Sequence, residues 1–156
     1  MLKIPAKTSS LLSVIASIIL FVGCAVCAVV LPSWVDILLR ARGVEIAQTI
    51  SAGEHALIIA LAYNILAVVA LTNILLLKLL LRVRSGLVFT AKSVGLIRGI
   101  SWCCFLLAAV FFILGFYFML SFVITFFAIF LGMCIRVVKN VIEQAVEIKC
   151  ENDLTV

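Results

Sequence analysis

Acidic residues are scarce in this chain: seven Asp and Glu stand against twelve Lys and Arg in 156 residues. No Asp, Glu, Lys or Arg lies in the middle of any long apolar run. Charges buried in a membrane mark proton relays and ion paths, so their lack argues against an ion-driven pump. Histidine occurs once, as His55. A catalytic zinc needs about three protein ligands. Only Asp36, Glu45 and Glu54 stand near His55 in sequence, and the four together read as a polar cap at the outer end of a helix. There is no nucleophile–base pair, phosphate loop or paired-carboxylate site. Proline occurs twice, and Pro32 is expected to end the first apolar segment.

Six cysteines suggest no disulfide framework. Five lie inside predicted membrane segments, and Cys150 lies in the tail predicted to be cytoplasmic, where thiols stay reduced. Cys24-Ala25-Val26-Cys27 has redox-pair spacing, but a thiolate is disfavoured in an apolar span. Core packing is the preferred role.

What is abundant is apolar. Hydrophobic residues make up 67% of the chain and charged residues 12%, and the mean hydropathy is +1.41. Ordinary soluble domains hold roughly 45–50% and about 25%. The chain therefore reads as one membrane domain with no room for a separate soluble catalytic domain. A helix needs ~20 apolar residues to cross the hydrocarbon, and four runs qualify, at about 11–31, 55–77, 99–118 and 121–135. Phe21-Val22-Gly23-Cys24 resembles a lipoprotein cleavage box, but the run stays apolar to Leu31 and reads as a span. Past Pro32, Trp34 sits as an interfacial anchor would, and 34–42 is expected to lie as a short helix on the membrane surface, before Gly43, Ser51 and Gly53 break the rest.

Ten of the twelve basic residues fall at the N-terminus, in the 78–98 loop or in the tail. Basic residues collect on the cytoplasmic side. Both termini and that loop are thus predicted to be cytoplasmic. The second helix is expected to continue past Lys78 to Arg84 and to break at Ser85-Gly86, with Thr90 as N-cap of the third. Along the fourth helix, Ser121, Thr125, Ala128 and Gly132 share one face that lets another helix approach closely. Phe127, Leu131, Cys134, Val138, Val141, Ala145 and Ile148 alternate by four and three residues, a coiled-coil-like seam that runs on into a cytoplasmic helix at about 136–150.

Two amides lie within the second span, Asn64 near its middle and Asn73 nearer its inner end. Polar groups in hydrocarbon are met by another helix or line a cavity. Adhesion is the preferred reading, and a transport path along Asn64 and Asn73 is the alternative. The basic loop, with Arg82, Arg84, Lys92 and Arg98, has three readings: orientation with contact to anionic lipid, pairing with Glu143, Glu147, Glu151 and Asp153 of the tail, or docking of a cytoplasmic protein. With no aromatic platform beyond Phe89, the loop is not read as binding nucleic acid directly.

The tail Glu147-Ile148-Lys149-Cys150-Glu151-Asn152-Asp153-Leu154-Thr155-Val156 resembles the C-terminal signature of a family of small bacterial four-helix membrane proteins, catalogued as domain of unknown function 2975. Gly86, Phe89 and Thr90 match that family's Gly-x-x-Phe-Thr/Ser motif before the third helix, while Val88 and Ser93 depart from its usual Pro and Asn. The resemblance implies no activity. Members are often encoded beside a helix-turn-helix regulator of the Cro/repressor type, which implies a membrane partner for a transcription factor.

The expectation is an all-α integral four-helix bundle of the bacterial inner membrane, with both termini cytoplasmic and helices two and four extended into the cytoplasm. It is expected to be non-enzymatic and without cofactor or metal. A cytoplasmic partner is expected on Arg82, Arg84, Phe89, Thr90, Lys92, Arg98, Glu147, Glu151, Asn152, Asp153 and Leu154. A small transporter, or an outward metal enzyme using His55, stands as a rival. The small-residue stripes leave a homo-oligomer open.

Overall fold

The computed structural model describes residues 6–41, 52–85 and 90–154, with side chains at 11–39, 53–85, 90–148, 150 and 151. Four helices make up almost all of this: α1 (Ala6–Ala41), α2 (Ala52–Arg84), α3 (Ala91–Gly115) and α4 (Leu120–Leu154). Each is long and apolar enough to cross a membrane. Large apolar side chains such as Ile19, Val29 and Phe126 point outward all along them, as lipid requires and water forbids. The chain is a multi-pass membrane protein.

The helices pack in chain order, α1 on α2, α2 on α3 and α3 on α4, the last interface being the most extensive. Among the described residues no Cα atoms of α1 and α3, α1 and α4, or α2 and α4 come within 8 Å. The bundle is an open antiparallel row with α1 and α4 at its edges. The start of α1, the end of α2, the start of α3 and the end of α4 therefore share one end of the row, here called the terminal end.

α1 departs from expectation. It runs through Pro32 and continues to Ala41 as one helix, so 34–41 is no separate surface helix. Proline has no N–H to give the carbonyl four residues back, which here is that of Ala28. Tyr63 Oη, from α2, donates to Ala28 O at 3.2 Å and replaces the missing donor. Beyond the proline, Val35 and Leu39 are buried against Ile58, with Leu114, Tyr117 and Phe118 packed on the cluster. These contacts hold the post-proline turns on α2. Tyr63→Phe is expected to cost about 1 kcal/mol, the usual worth of one hydrogen bond. Thermal unfolding in detergent would read this, and an unchanged midpoint would show the carbonyl to be satisfied otherwise. The remaining loop, including Arg42, Gly43, Glu45 and Ser51, lies outside the described residues. Gly53 falls within the first turn of α2.

Polar groups inside the row are paired. Asn73 is 3% exposed: Ser17 Oγ donates to its Oδ1 at 2.6 Å, and its Nδ2 donates to Ser17 O at 2.9 Å. At the α3–α4 interface Ser101 Oγ donates to Gly132 O at 2.9 Å, and Thr125 Oγ1 to Ser121 O at 2.9 Å. The predicted small face of α4 is the one α3 covers: Ser121, Thr125 and Gly132 are buried and Ala128 half-buried. Gly132 suits this close approach, since a Cβ there would stand 3.2–3.3 Å from Phe105 and Cys104, tighter than ordinary contact. Gly115 is tighter still, with Phe122 at 2.7 Å from such a Cβ.

α2 reaches Arg84 as expected. Thr90 caps α3 with extended backbone, φ −136° and ψ 148°, and its side chain accepts from Ser93 N. Thr90 Oγ1 and Ser93 Oγ are 3.0 Å apart, so Ser93 joins the capping group. α3 therefore begins two turns before the apolar run.

Candidate functional site

The terminal end gathers most of the polar side chains. At 1.5 Å per residue, ~20 residues of helix cover the hydrocarbon. Counted from Leu120, that carries α4 to about Asn140. Arg136 and Lys139 then lie at the interface, and Glu143 and Glu147 in water. α3 runs antiparallel beside it, with Arg98 and Trp102 at the same level.

The geometry there is an ion-pair network across two helices. Arg98 Nη2 donates to Glu143 Oε1 at 3.3 Å, and Lys139 Nζ donates to Glu143 Oε2. The second pair is the i,i+4 contact within α4, where such spacing brings side chains together. The hydrogen bond from Lys139, joined by the charges of Lys139 and Arg98, holds the Glu143 carboxyl below its ordinary range against a smaller opposing effect of desolvation. A carboxylate lowered in the fold contributes stability above its unfolded pKa, and loses it as pH falls through the folded one. The network therefore opens only on acidification. Arg98 and Glu143 are both partly open to solvent, so the stabilisation is small.

Of the predicted partner-binding residues, the fold brings Arg98 and Glu147 into one groove of about 330 Å³ between the start of α3 and the α4 extension, with Gly95 and Val146 also in its walls. Arg82 and Arg84 form the basic last turn of α2. Arg82 is half-buried, Arg84 and Lys92 are exposed, and Thr90 is half-buried at its cap. Glu151 is exposed. Phe89 lies outside the described residues, as do the side chains of Asn152, Asp153 and Leu154, whose backbone reaches Leu154 in helix.

The coiled-coil-like seam of α4 faces away from α3. Val138, Val141 and Ile148 are each more than half exposed, and Ala145 is half-buried. Within the bilayer that exposure is ordinary. At Val141 and Ile148, past the hydrocarbon, it leaves apolar side chains on an uncovered face.

The two intramembrane amides part company. Asn73 is clasped by Ser17, whereas Asn64 is exposed and hydrogen-bonds to no described residue. Nine residues at 100° each place them on opposite sides of α2. They do not line a common path within one chain.

At the far end His55 Nε2 lies 3.0 Å from Asp36 Oδ1, tying α2 to α1. Glu45 lies outside the described residues. Among the described residues no three His, Cys, Asp or Glu side chains gather as a metal site. All six cysteines are free thiols.

Sequence reading missed one arrangement. Arg136 Cζ lies 5.7 Å from the centre of the Trp102 ring, a cation–π pair across α3 and α4. Arg136, Lys139 and Trp102 had no local signal joining them, because the pairing depends on the α3–α4 register.

The profile of one protein family, described as "Protein of unknown function (DUF2975)", matches residues 3–156. No curated protein and no solved structure matches the chain.

Proposed function

The chain belongs to that family of proteins of unknown function, and we propose that it is a non-enzymatic regulatory membrane protein whose terminal end faces the cytoplasm and docks a cytoplasmic protein, which the family resemblance alone makes a DNA-binding regulator of the helix-turn-helix type. The observation that carries this reading is the uncovered apolar strip of Val141 and Ile148 on a helix that outruns the bilayer. An amphipathic helix with anchors at such spacing suits a helical partner laid along it. Charges of both signs lie along the same α4 extension, among them Lys139, Glu143, Glu147 and Glu151, and would fix orientation more than affinity. The basic excess at this end supports a cytoplasmic orientation. A transport path has less support, because Asn64 and Asn73 stand on opposite sides of α2.

The test is capture from lysate of the native host by the detergent-solubilised protein, intact, truncated after Lys149, or carrying V141E/I148E. A DNA-binding protein identified on the intact form and lost from V141E/I148E is the expected result. Truncation tells whether the terminal signature adds to the contact. If instead Val141→Cys cross-links two copies of the chain and no DNA-binding protein is captured, the strip is covered by a second copy and the reading fails.

A further inference from the structure

The pocket beside Arg136 is unlike the rest of the surface. It encloses about 360 Å³ between α3 and α4 and is lined by Arg98, Ser101, Trp102, Arg136 and Lys139. Three cations border it against one nearby carboxylate, Glu143, which is shared between Arg98 and Lys139. Arg136 is left with the indole face as its described contact and pairs with no described carboxylate. Lys139 is largely covered, its side chain 13% exposed, so its charge is held in place at the pocket wall. Fixed cations around a concavity at the membrane interface select a compact anion with several acceptor oxygens, of which a phosphate ester is the commonest in that zone.

A second cavity decides what kind of phosphate. About 370 Å³ opens between α2 and α3, lined by Val68, Leu71, Cys103, Phe105 and Leu106, and Trp102 forms part of its wall as well. Its lining is apolar. α3 enters the bilayer from the terminal end, so Phe105 and Leu106 lie deeper than Arg98. Trp102 thus stands between a cationic pocket at the interface and an apolar one below it. That order, charge above and hydrocarbon beneath, matches a phospholipid and not a free ion.

We infer that this is a binding site for an anionic phospholipid of the adjoining leaflet, its phosphate among Arg98, Arg136 and Lys139 and one acyl chain along Trp102 toward Leu106. The site does not depend on the docking reading above. It uses the opposite side of the α4 extension from Val141, and lipid and partner protein would bind together.

The experiment uses the full chain with Trp34→Phe, which leaves Trp102 as the sole indole. It is placed in vesicles of phosphatidylcholine to which phosphatidylglycerol with brominated acyl chains is added, and Trp102 emission is followed. Half-quenching is expected at about twenty-five-fold lower content of brominated phosphatidylglycerol than of brominated phosphatidylcholine, since three cations less the Glu143 carboxylate leave two net charges and each contributes about a factor of five. R136Q/K139Q should erase the preference. R82Q/R84Q, which removes equal charge from the same end, should keep it. Glu143→Gln should strengthen it, a gain that misfolding does not produce. Equal quenching by both lipids overturns the site. So does an equal loss in R82Q/R84Q, which would mean general surface charge, or a loss of preference in Glu143→Gln. Relief of quenching by excess inorganic phosphate would assign the pocket to a free anion and likewise overturn the lipid.

Discussion

Replacing Gly132 by leucine is expected to destabilise the protein by about 2 kcal/mol or more, the upper range for overfilling a packed interface. Gly132 lies where α3 and α4 approach, and a bare Cβ would already crowd Phe105 and Cys104. Leucine adds three further carbons beyond that crowded Cβ. The helices must move apart, and the Ser101 Oγ bond to Gly132 O at 2.9 Å goes with the displacement. Gly132 O keeps its helical donor, and the freed Ser101 hydroxyl can turn to a carbonyl of its own helix, so most of the cost is lost packing. Gly23 and Gly95 are internal controls, because a Cβ at either meets nothing within 4 Å. Reversible unfolding in mixed micelles of mild detergent and dodecyl sulfate would measure all three variants. A Gly132→Leu midpoint no lower than that of Gly23→Leu would mean that the α3–α4 contact is looser than this packing requires.

The Gly132 contact was legible in the sequence. Ser121, Thr125, Ala128 and Gly132 announce a close approach by spacing alone, and so does the cap at Thr90, because both are local patterns of one helix. What escaped were features made by two elements. Pro32 reads as a helix end until Tyr63, 31 residues later, supplies the donor that proline lacks. Arg136 reads as a topology marker until α3 sets Trp102 beneath it. The row-like order of the helices was equally invisible. Apolar residues are exposed to lipid and buried against helices alike, so hydropathy carries little information about which face packs. Charge, small residues and amides are what remain to tell faces apart, and amides tell it incompletely.

Asn73→Leu and Asn64→Leu are therefore expected to differ in sign. Both place leucine within the same span of α2, and a hydropathy scale scores them alike. Asn73 is 3% exposed and holds α1 through two hydrogen bonds with Ser17. Losing it should cost about 1–2 kcal/mol, the range for interhelical hydrogen bonds in membranes. Part of that is recoverable, because a freed Ser17 hydroxyl can turn to a carbonyl of its own helix. The cost should therefore exceed that of Ser17→Ala, which keeps the bond from Asn73 Nδ2 to the Ser17 backbone carbonyl. Asn64 projects outward with no described partner, so leucine removes an amide that hydrocarbon does not solvate. Its replacement should be neutral or stabilising in a monomer. The same micelle unfolding assay reads both. A loss of stability for Asn64→Leu that grows with protein concentration would mean that the amide meets a second copy of the chain. The exposed line of Ala56, Ala60 and Ala67 beside it on α2 would then be the place to look for the contact. A concentration-independent loss would instead require a partner for Asn64 within the chain, and would overturn its placement on the outer face of α2.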